Sequence, residues 1–413
     1  MTGTAATGTP PLPASGAWRE GDPPGHRRWY QRSEPLALEA GGSLPNVRVA
    51  YEAWGALAPD RSNAVLVLHA LTGDSHAAGT AGPGHPSPGW WDALIGPGRA
   101  LDTDCWFVVA PNVLGGCQGS TGPASAAPDG RPWGSRFPFL TQRDQTAVEA
   151  GLADTLGIER WALVVGGSMG GMRALEWAVS YPDRVGALLL LATTAQASAE
   201  QIAWTSVQAQ AIRSDPGWHG GDYHHLPPGR GPHLGLGIAR RTAQVTYRAE
   251  SELRERFGRT AQAGEHPWHD GRYAVESYLD HQAAKLARRF DAGSYVVLGE
   301  AMNSHDIGRD RGGTASALAR ITAPTVVAAV DSDRLYPLTQ QQELAALIPG
   351  ADRPRVLHSA CGHDGFLLET AQVAPLVAEL LPPAAASGPS QRTPRLTASA
   401  ERRRSISPMG LPE

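Results

Sequence analysis

Apolar residues fall along this chain in short unbroken runs, set between longer stretches with helical spacing. Residues 64–69 read Ala-Val-Leu-Val-Leu-His, residues 106–110 Trp-Phe-Val-Val-Ala, and residues 161–165 Trp-Ala-Leu-Val-Val. Similar runs cover residues 47–53, 185–192, 325–330 and 355–358. Runs filled with aliphatic and β-branched residues, without polar alternation, mark strands buried on both faces, as in a parallel sheet. Residues 144–156, 170–181 and 338–347 carry helical spacing between them. Strands alternating with helices predict an α/β class with a mostly parallel, doubly wound sheet.

The rhythm breaks once. Residues 194–311 hold no strong strand signal but several helical ones, such as 275–290. An insertion of that size between two core strands predicts a helical lid over the carboxyl edge of the sheet. The core is then residues 31–193 and 312–381. Residues 1–30 and 382–413 are rich in Pro, Ala, Ser and Gly, without periodicity, and are expected to be disordered tails. No internal repeat interrupts this plan.

Composition narrows the class. The chain has 413 residues, 41% of them hydrophobic and 18% charged, enough to bury a large core. A net charge of -4 gives no electrostatic footprint for nucleic acid, and the one basic run, residues 402–404, reads as solvated. No run reaches the ~18 apolar residues of a membrane span. The first residues lack a charged start followed by an apolar run, so no secretory signal is expected. Cys105, Cys117 and Cys361 are widely spaced and odd in number, which argues against a disulfide framework and for a cytoplasmic enzyme.

The chemistry centres on Gly166-Gly167-Ser168-Met169-Gly170-Gly171, which follows a strand and opens a helix. This G-x-S-x-G pattern is a nucleophile elbow: the sharp turn strains the central Ser, and positions two residues away must be small. Ser168 then projects at a helix N-terminus, where free N–H groups favour negative charge. The partners must follow in the order acid, then His. Strand 325–330 leads into Asp331-Ser332-Asp333, and strand 355–358 into Cys361-Gly362-His363. His363 is the predicted base; His358 and His305 fit the order less well. Two acids compete, and the deeper loop position, Asp333, is preferred over Asp331, which could instead bond backbone N–H groups. Residues 218–237 contain His219, His224, His225 and His233, but no Cys or acidic cluster at tetrahedral-site spacing. They read as a variable surface loop, with no metal expected.

With these residues in place, the chain resembles the homoserine O-acetyltransferases of the α/β-hydrolase superfamily. The likeness runs from about Leu36 to Leu368. It rests on His69-Ala70-Leu71-Thr72-Gly73-Asp74-Ser75-His76, Gly89-Trp90-Trp91-Asp92 and the run from Asn112 through Gly122 to Pro123. The run from Gly166 to Met172, Thr246-Tyr247-Arg248, Val275-Glu276-Ser277-Tyr278-Leu279, Arg289-Phe290-Asp291 and Gly362-His363-Asp364-Gly365-Phe366-Leu367 complete the set. The resemblance implies a triad of Ser168, Asp333 and His363, with an oxyanion hole from the Leu71 and Met169 N–H groups. It implies that Arg240, with Arg241 as rival, holds the α-carboxylate of L-homoserine and that Asp364 holds its ammonium. It further implies acetyl-CoA as co-substrate, no bound cofactor, a ping-pong reaction through an acetyl-Ser168, a place in methionine biosynthesis, and a homodimer through the lid helices.

Three other readings share parts of this pattern. An esterase or thioesterase would use the same triad with water as acceptor. A succinyl donor or a serine acceptor would need only small pocket changes, since one methylene is worth ~1–3 kcal/mol. A non-catalytic binding module would normally lack the Ser or the His.

Overall fold

A computed structural model describes residues 11–381. Its centre is an eight-stranded sheet. The strands are β1 (Arg28–Gln31), β2 (Arg48–Trp54), β3 (Ala64–Leu68), β4 (Phe107–Pro111), β5 (Leu163–Gly167), β6 (Leu188–Leu191), β7 (Thr325–Val330) and β8 (Arg355–Leu357). Their order is β1-β2-β4-β3-β5-β6-β7-β8. The β1–β2 and β2–β4 pairs are antiparallel and the rest are parallel. This is the mostly parallel sheet expected from the unbroken apolar runs, since β3, β4, β5, β6 and β7 are buried throughout.

The pleat sends alternate residues of one strand to different cores. Leu66, Leu68, Val164, Leu188 and Leu190 pack with Val148, Leu152, Leu175 and Trp177 of α1 (Gln142–Leu156) and α2 (Met169–Ser180). Val65, Val67, Val165, Leu189 and Leu191 pack with Trp91, Leu94, Val373 and Val377 on the other side. Thr141 starts α1 with a capping box to Asp144.

Six α-helices lie between β6 and β7; five of them fall in the insertion, α3 (Ala199–Arg213), α4 (His233–Tyr247), α5 (Glu250–Phe257), α6 (Ala274–Ala287) and α7 (Ala292–Asn303), and the short Thr314–Leu318 follows it. The five occupy the stretch where helical signals without strands predicted a lid. The apolar faces of α3, α4, α6 and α7 share a third core with Leu71, Val113 and Met169 of the sheet's carboxyl edge.

Two expectations fail. Residues 11–30 of the expected N-terminal tail are ordered: β1 pairs with β2, and residues 14–18 thread between the insertion and the loop after β4. Gly16 N–H donates to Phe290 O at 3.2 Å, Trp18 N–H to Cys117 O at 2.9 Å, and Ser15 Oγ to Asp291 Oδ1 at 2.7 Å. A Cβ at Gly16 would lie 2.5 Å from Phe290 N, so only glycine fits this seam. The local composition is tail-like because the segment borrows its order from distant partners. The expected tails' remainder, residues 1–10 and 382–413, lies outside the described residues. The second failure is the histidine-bearing loop. His233 opens α4, and His224 is buried against Asp291 at 3.1 Å, so the segment is only partly surface.

Candidate active site

Strand β5 ends in the two glycines of the elbow, and Ser168 follows at φ 55°, ψ −125°, a conformation L residues rarely adopt. Glycine is required on both sides. A Cβ on Gly166 would stand 2.2 Å from Gly170 O, and one on Gly170 2.0 Å from Leu68 O. Those close approaches lift Ser168 to the start of α2, with its side chain at the carboxyl edge of the sheet.

The acid and base arrive from the neighbouring strands. His363 lies in a short turn after β8, and Asp333 in the loop after β7. His363 Nε2 is 2.9 Å from Ser168 Oγ, and His363 Nδ1 is 2.6 Å from Asp333 Oδ2. Asp333 Oδ1 accepts from the N–H groups of Leu335 and Tyr336 at 2.8 and 2.9 Å, which fixes the carboxylate plane. Asp331 is turned away: its oxygens take His358 Nδ1 and Ser359 N–H, the loop role open to it from the sequence. The preference for Asp333 thus has a geometric basis.

All three triad groups are buried. Burial works against charge on the His363 ring, but the Asp333 carboxylate outweighs it and raises the imidazole above its ordinary 6.5. Three aromatic rings surround the base: Tyr336 stacks at 4.9 Å, Phe366 meets it edge-on at 5.4 Å and Tyr247 lies at 5.7 Å. Gly362 has φ +65° and packs against Tyr247 O, so the base's turn sits on the C-terminus of α4.

The Leu71 and Met169 N–H groups donate to no group among the described residues, and both residues line the core beneath the insertion. Met169 follows the nucleophile and Leu71 sits in the loop after β3, the two places from which an oxyanion hole is built. A narrow cavity of ≈ 30 Å³ is bounded by Leu71, Met172, Gln201, Tyr247 and Tyr336. A separate cavity of ≈ 540 Å³ is bounded by Trp18, Thr72, Asp74, Trp90 and Arg289.

The two candidate arginines on α4 part company. Arg241 forms an ion pair with Asp280, which also takes Arg272 at 3.1 Å. Arg240 forms no ion pair or hydrogen bond among the described residues; its guanidinium lies 5.8 Å from the Tyr247 ring centre, and its Nε is buried without a partner. Asp364 binds Arg248 at 3.0 Å, and burial raises its carboxyl above the usual range against the pull of Arg248, His363 and Arg240. Residue-by-residue reading assigned no role to Arg248, Tyr247 or Tyr336. Tyr247 and Arg248 stand in the quoted block Thr246-Tyr247-Arg248, whose position after Arg240 was the available signal.

One group of described residues brings three potential metal ligands within 4.8 Å: Glu52, His76 and His85. Most of their polar atoms are already engaged, His76 Nε2 being buried without a partner. Glu52 accepts from His76 Nδ1 and Ser75 Oγ, both at 2.9 Å, and His26 N–H donates to His85 Nε2 at 3.2 Å. The two rings stack at 3.8 Å with 9° between planes, so their lone pairs run in parallel planes and do not converge on one ion. Burial lowers both imidazoles; Glu52 outweighs it at His76, which is raised, while His85 is held down to about 4. This is a buried charge network centred on Glu52, with one ring nitrogen, His76 Nε2, left unpartnered.

A buried Ser–His–Asp relay at the carboxyl edge of a parallel sheet, with free backbone donors beside the Ser, defines a serine acyl-transfer enzyme of the α/β-hydrolase class. The family described as "alpha/beta hydrolase fold" matches residues 63–370. The homoserine O-acetyltransferase of Thermobifida fusca (strain YX) is 69% identical over 373 residues, covering 90% of this chain and 98% of its own. The crystal structure of homoserine O-acetyltransferase from Bacillus anthracis superposes with a TM-score of 0.78 at 27% identity, covering 86% of this chain and 96% of its own. The crystal structure of esterase E22 does so with a TM-score of 0.77 at 28% identity, covering 86% and 99%. The chain belongs to the homoserine O-acetyltransferase family, and it is an acyltransferase.

Proposed function

We propose that the chain moves an acetyl group from acetyl-CoA to the γ-hydroxyl of L-homoserine through an acetyl-Ser168 intermediate. His363 Nε2 takes the Ser168 proton as Oγ attacks the thioester carbonyl. The carbonyl oxygen gathers charge between the Leu71 and Met169 N–H groups, where one donor is worth ~100- to 1000-fold in rate. As the C–S bond breaks, His363 returns the proton to the departing thiolate. L-Homoserine then enters, its α-carboxylate on the unpaired Arg240 and its ammonium on Asp364. His363 takes the γ-hydroxyl proton, the oxygen attacks the acetyl carbon, and Ser168 leaves with the proton. Two half-reactions through one ester give ping-pong kinetics. The product, O-acetyl-L-homoserine, belongs to methionine biosynthesis.

The observation that carries this reading over a bare hydrolase is Arg240: a guanidinium partly buried near the triad that forms no ion pair or hydrogen bond among the described residues, with Asp364 felt only through its field. Leaving such a charge unpaired is costly, so it is matched to an anionic acceptor group. Hydrolysis is the second reading, favoured by the close likeness to an esterase structure. Thiol release from acetyl-CoA, followed with and without L-homoserine, separates the two. Transfer requires release that depends on homoserine and yields O-acetylhomoserine by mass. Release indifferent to homoserine, yielding acetate, sinks the transferase reading. A matrix of acetyl- and succinyl-CoA against homoserine and serine fixes donor and acceptor.

A homodimer through the insertion fits the apolar residues left exposed on α3 and α4, such as Val207, Leu234 (75% exposed) and Ile238 (53%). Among the described residues no helix is long and apolar enough to cross a membrane. A cytoplasmic location fits the three free cysteines.

A further inference from the structure

The loop after β3 carries the Leu71 donor, and its backbone is pinned at three successive points. His69 O accepts from Arg173 Nη2 at 2.6 Å, and Thr72 O accepts from Arg289 Nη1 at 2.8 Å. Between them, Ala70 O takes two donors: Gly73 N–H at 2.9 Å and His69 Nδ1 at 2.7 Å. The tautomer follows from the ring's other nitrogen. His69 Nε2 lies 3.0 Å from Val113 N, a group that can only donate, so Nε2 accepts and the hydrogen sits on Nδ1. Burial first, and then the Arg173 charge, hold this imidazole well below its ordinary value, so the ring stays neutral and keeps that tautomer.

A trans peptide is planar, with its C=O and N–H pointing in opposite directions; the chain has no cis bond here. Holding the Ala70 carbonyl against the His69 ring therefore directs the Leu71 N–H the other way. We infer that His69 is a positioning residue: its Nδ1–H locks the Ala70–Leu71 peptide so that the Leu71 N–H is aimed at the forming oxyanion, not the Ala70 carbonyl. Released, this peptide turns over and sets a carbonyl oxygen where negative charge must develop. Arg173 serves the same end one residue earlier. It is fully buried, held by Glu149 at 2.5 Å, and Glu149 is in turn held by Trp177 Nε1 at 2.9 Å.

The inference rests on the acyl-Ser168 reading, and two substitutions test it separately from that reading. His69→Asn places an amide N–H near the Nδ1 position and keeps the Ala70 bond. His69→Gln reaches toward Val113 instead and gives up the Ala70 bond. The expected result is a kcat near the parent's for His69→Asn, within about tenfold, and a loss of ~100-fold or more for His69→Gln, the size of one oxyanion donor. The KM for both substrates stays within about twofold, and the acyl burst with an activated acetate ester keeps its amplitude while its rate falls. A merely structural role instead lowers burst amplitude and melting temperature together. Equal losses in the two variants, or a folded His69→Gln that keeps more than about a third of kcat, overturn the proposal. Should His69→Gln not accumulate, a folded His69→Asn that loses ~100-fold overturns it alone, and one that keeps activity supports it. Failure of the acyl-Ser168 reading shows differently, as a parent enzyme with no burst at all.

Discussion

The relative weight of the two loop carboxylates can be tested by a pair of isosteric changes, Asp333→Asn and Asp331→Asn. In the parent, Asp333 Oδ1 accepts two backbone N–H groups and Oδ2 accepts His363 Nδ1 at 2.6 Å. An asparagine keeps Oδ1 toward Leu335 and Tyr336, because only an acceptor fits there. Its NH2 must then face the imidazole. Two donors cannot share that contact, so the ring shifts its hydrogen to Nε2 and presents a donor to Ser168, where a base is needed. A wrong tautomer in a Ser–His–Asp triad lowers kcat by about 10⁴-fold, or roughly 5.4 kcal/mol at about 1.36 kcal/mol per tenfold. Asp331 is half-exposed and bonded to an exposed His358. An exposed pair of this kind contributes about 0–1 kcal/mol to stability and nothing to the relay. Asp331→Asn is therefore expected to hold kcat within about twofold. Thiol release at saturating acetyl-CoA and L-homoserine reads both, with circular dichroism confirming that each variant is folded. An Asp333→Asn enzyme retaining a tenth of the parent rate, or an Asp331→Asn enzyme falling as far as its neighbour, refutes the assignment.

Three further outcomes follow from the same geometry. Because His363 must be neutral to accept the Ser168 proton and its pKa is raised, kcat/KM for the donor should fall as pH drops through a midpoint above 6.5; a profile from about pH 5 to about pH 9 locates it, and a midpoint below the ordinary value contradicts the Asp333 contact. Arg240→Lys loses the planar fork and should raise the homoserine KM roughly 10- to 100-fold, leaving the acetyl-CoA half-reaction intact, whereas Arg241→Lys changes little; equal effects would place the carboxylate elsewhere. Glu149→Gln leaves the fully buried Arg173 guanidinium without its counter-charge and should lower unfolding free energy by roughly 3 kcal/mol in a urea titration, a value near zero being inconsistent with a buried pair.

Much of the sheet was legible because its strands are buried on both faces. Residues 325–330 and 338–347 were placed to the residue, and the run at 161–165 is shifted by two only because the elbow's glycines extend β5. Ser168 and His363 were legible because the elbow's local sterics demand glycine and because chain order constrains the base. Asp333 was only a preference, since Asp331 shares its loop and one-dimensional spacing says nothing of which oxygen faces the ring. Choosing Arg240 over Arg241 was out of reach for a similar reason: what separates them is Asp280, a residue on another helix. The ordered segment 11–30 was missed because its partners lie outside it along the chain, where composition and periodicity are blind.

That segment also bears on how the protein is made. Ser15 and Asp291 stand 276 residues apart, so at about 5–20 residues per second the first of them waits roughly 14–55 s on the ribosome for the second to be synthesised. Meanwhile Asp291, once made, needs Ser15, Tyr223 and His224 gathered about one buried carboxylate before the insertion can settle. A stretch that leaves the exit tunnel long before its partners is thus among the last to find its place. A nascent chain shortened to begin after Arg19 would finish translation with that closing stitch missing.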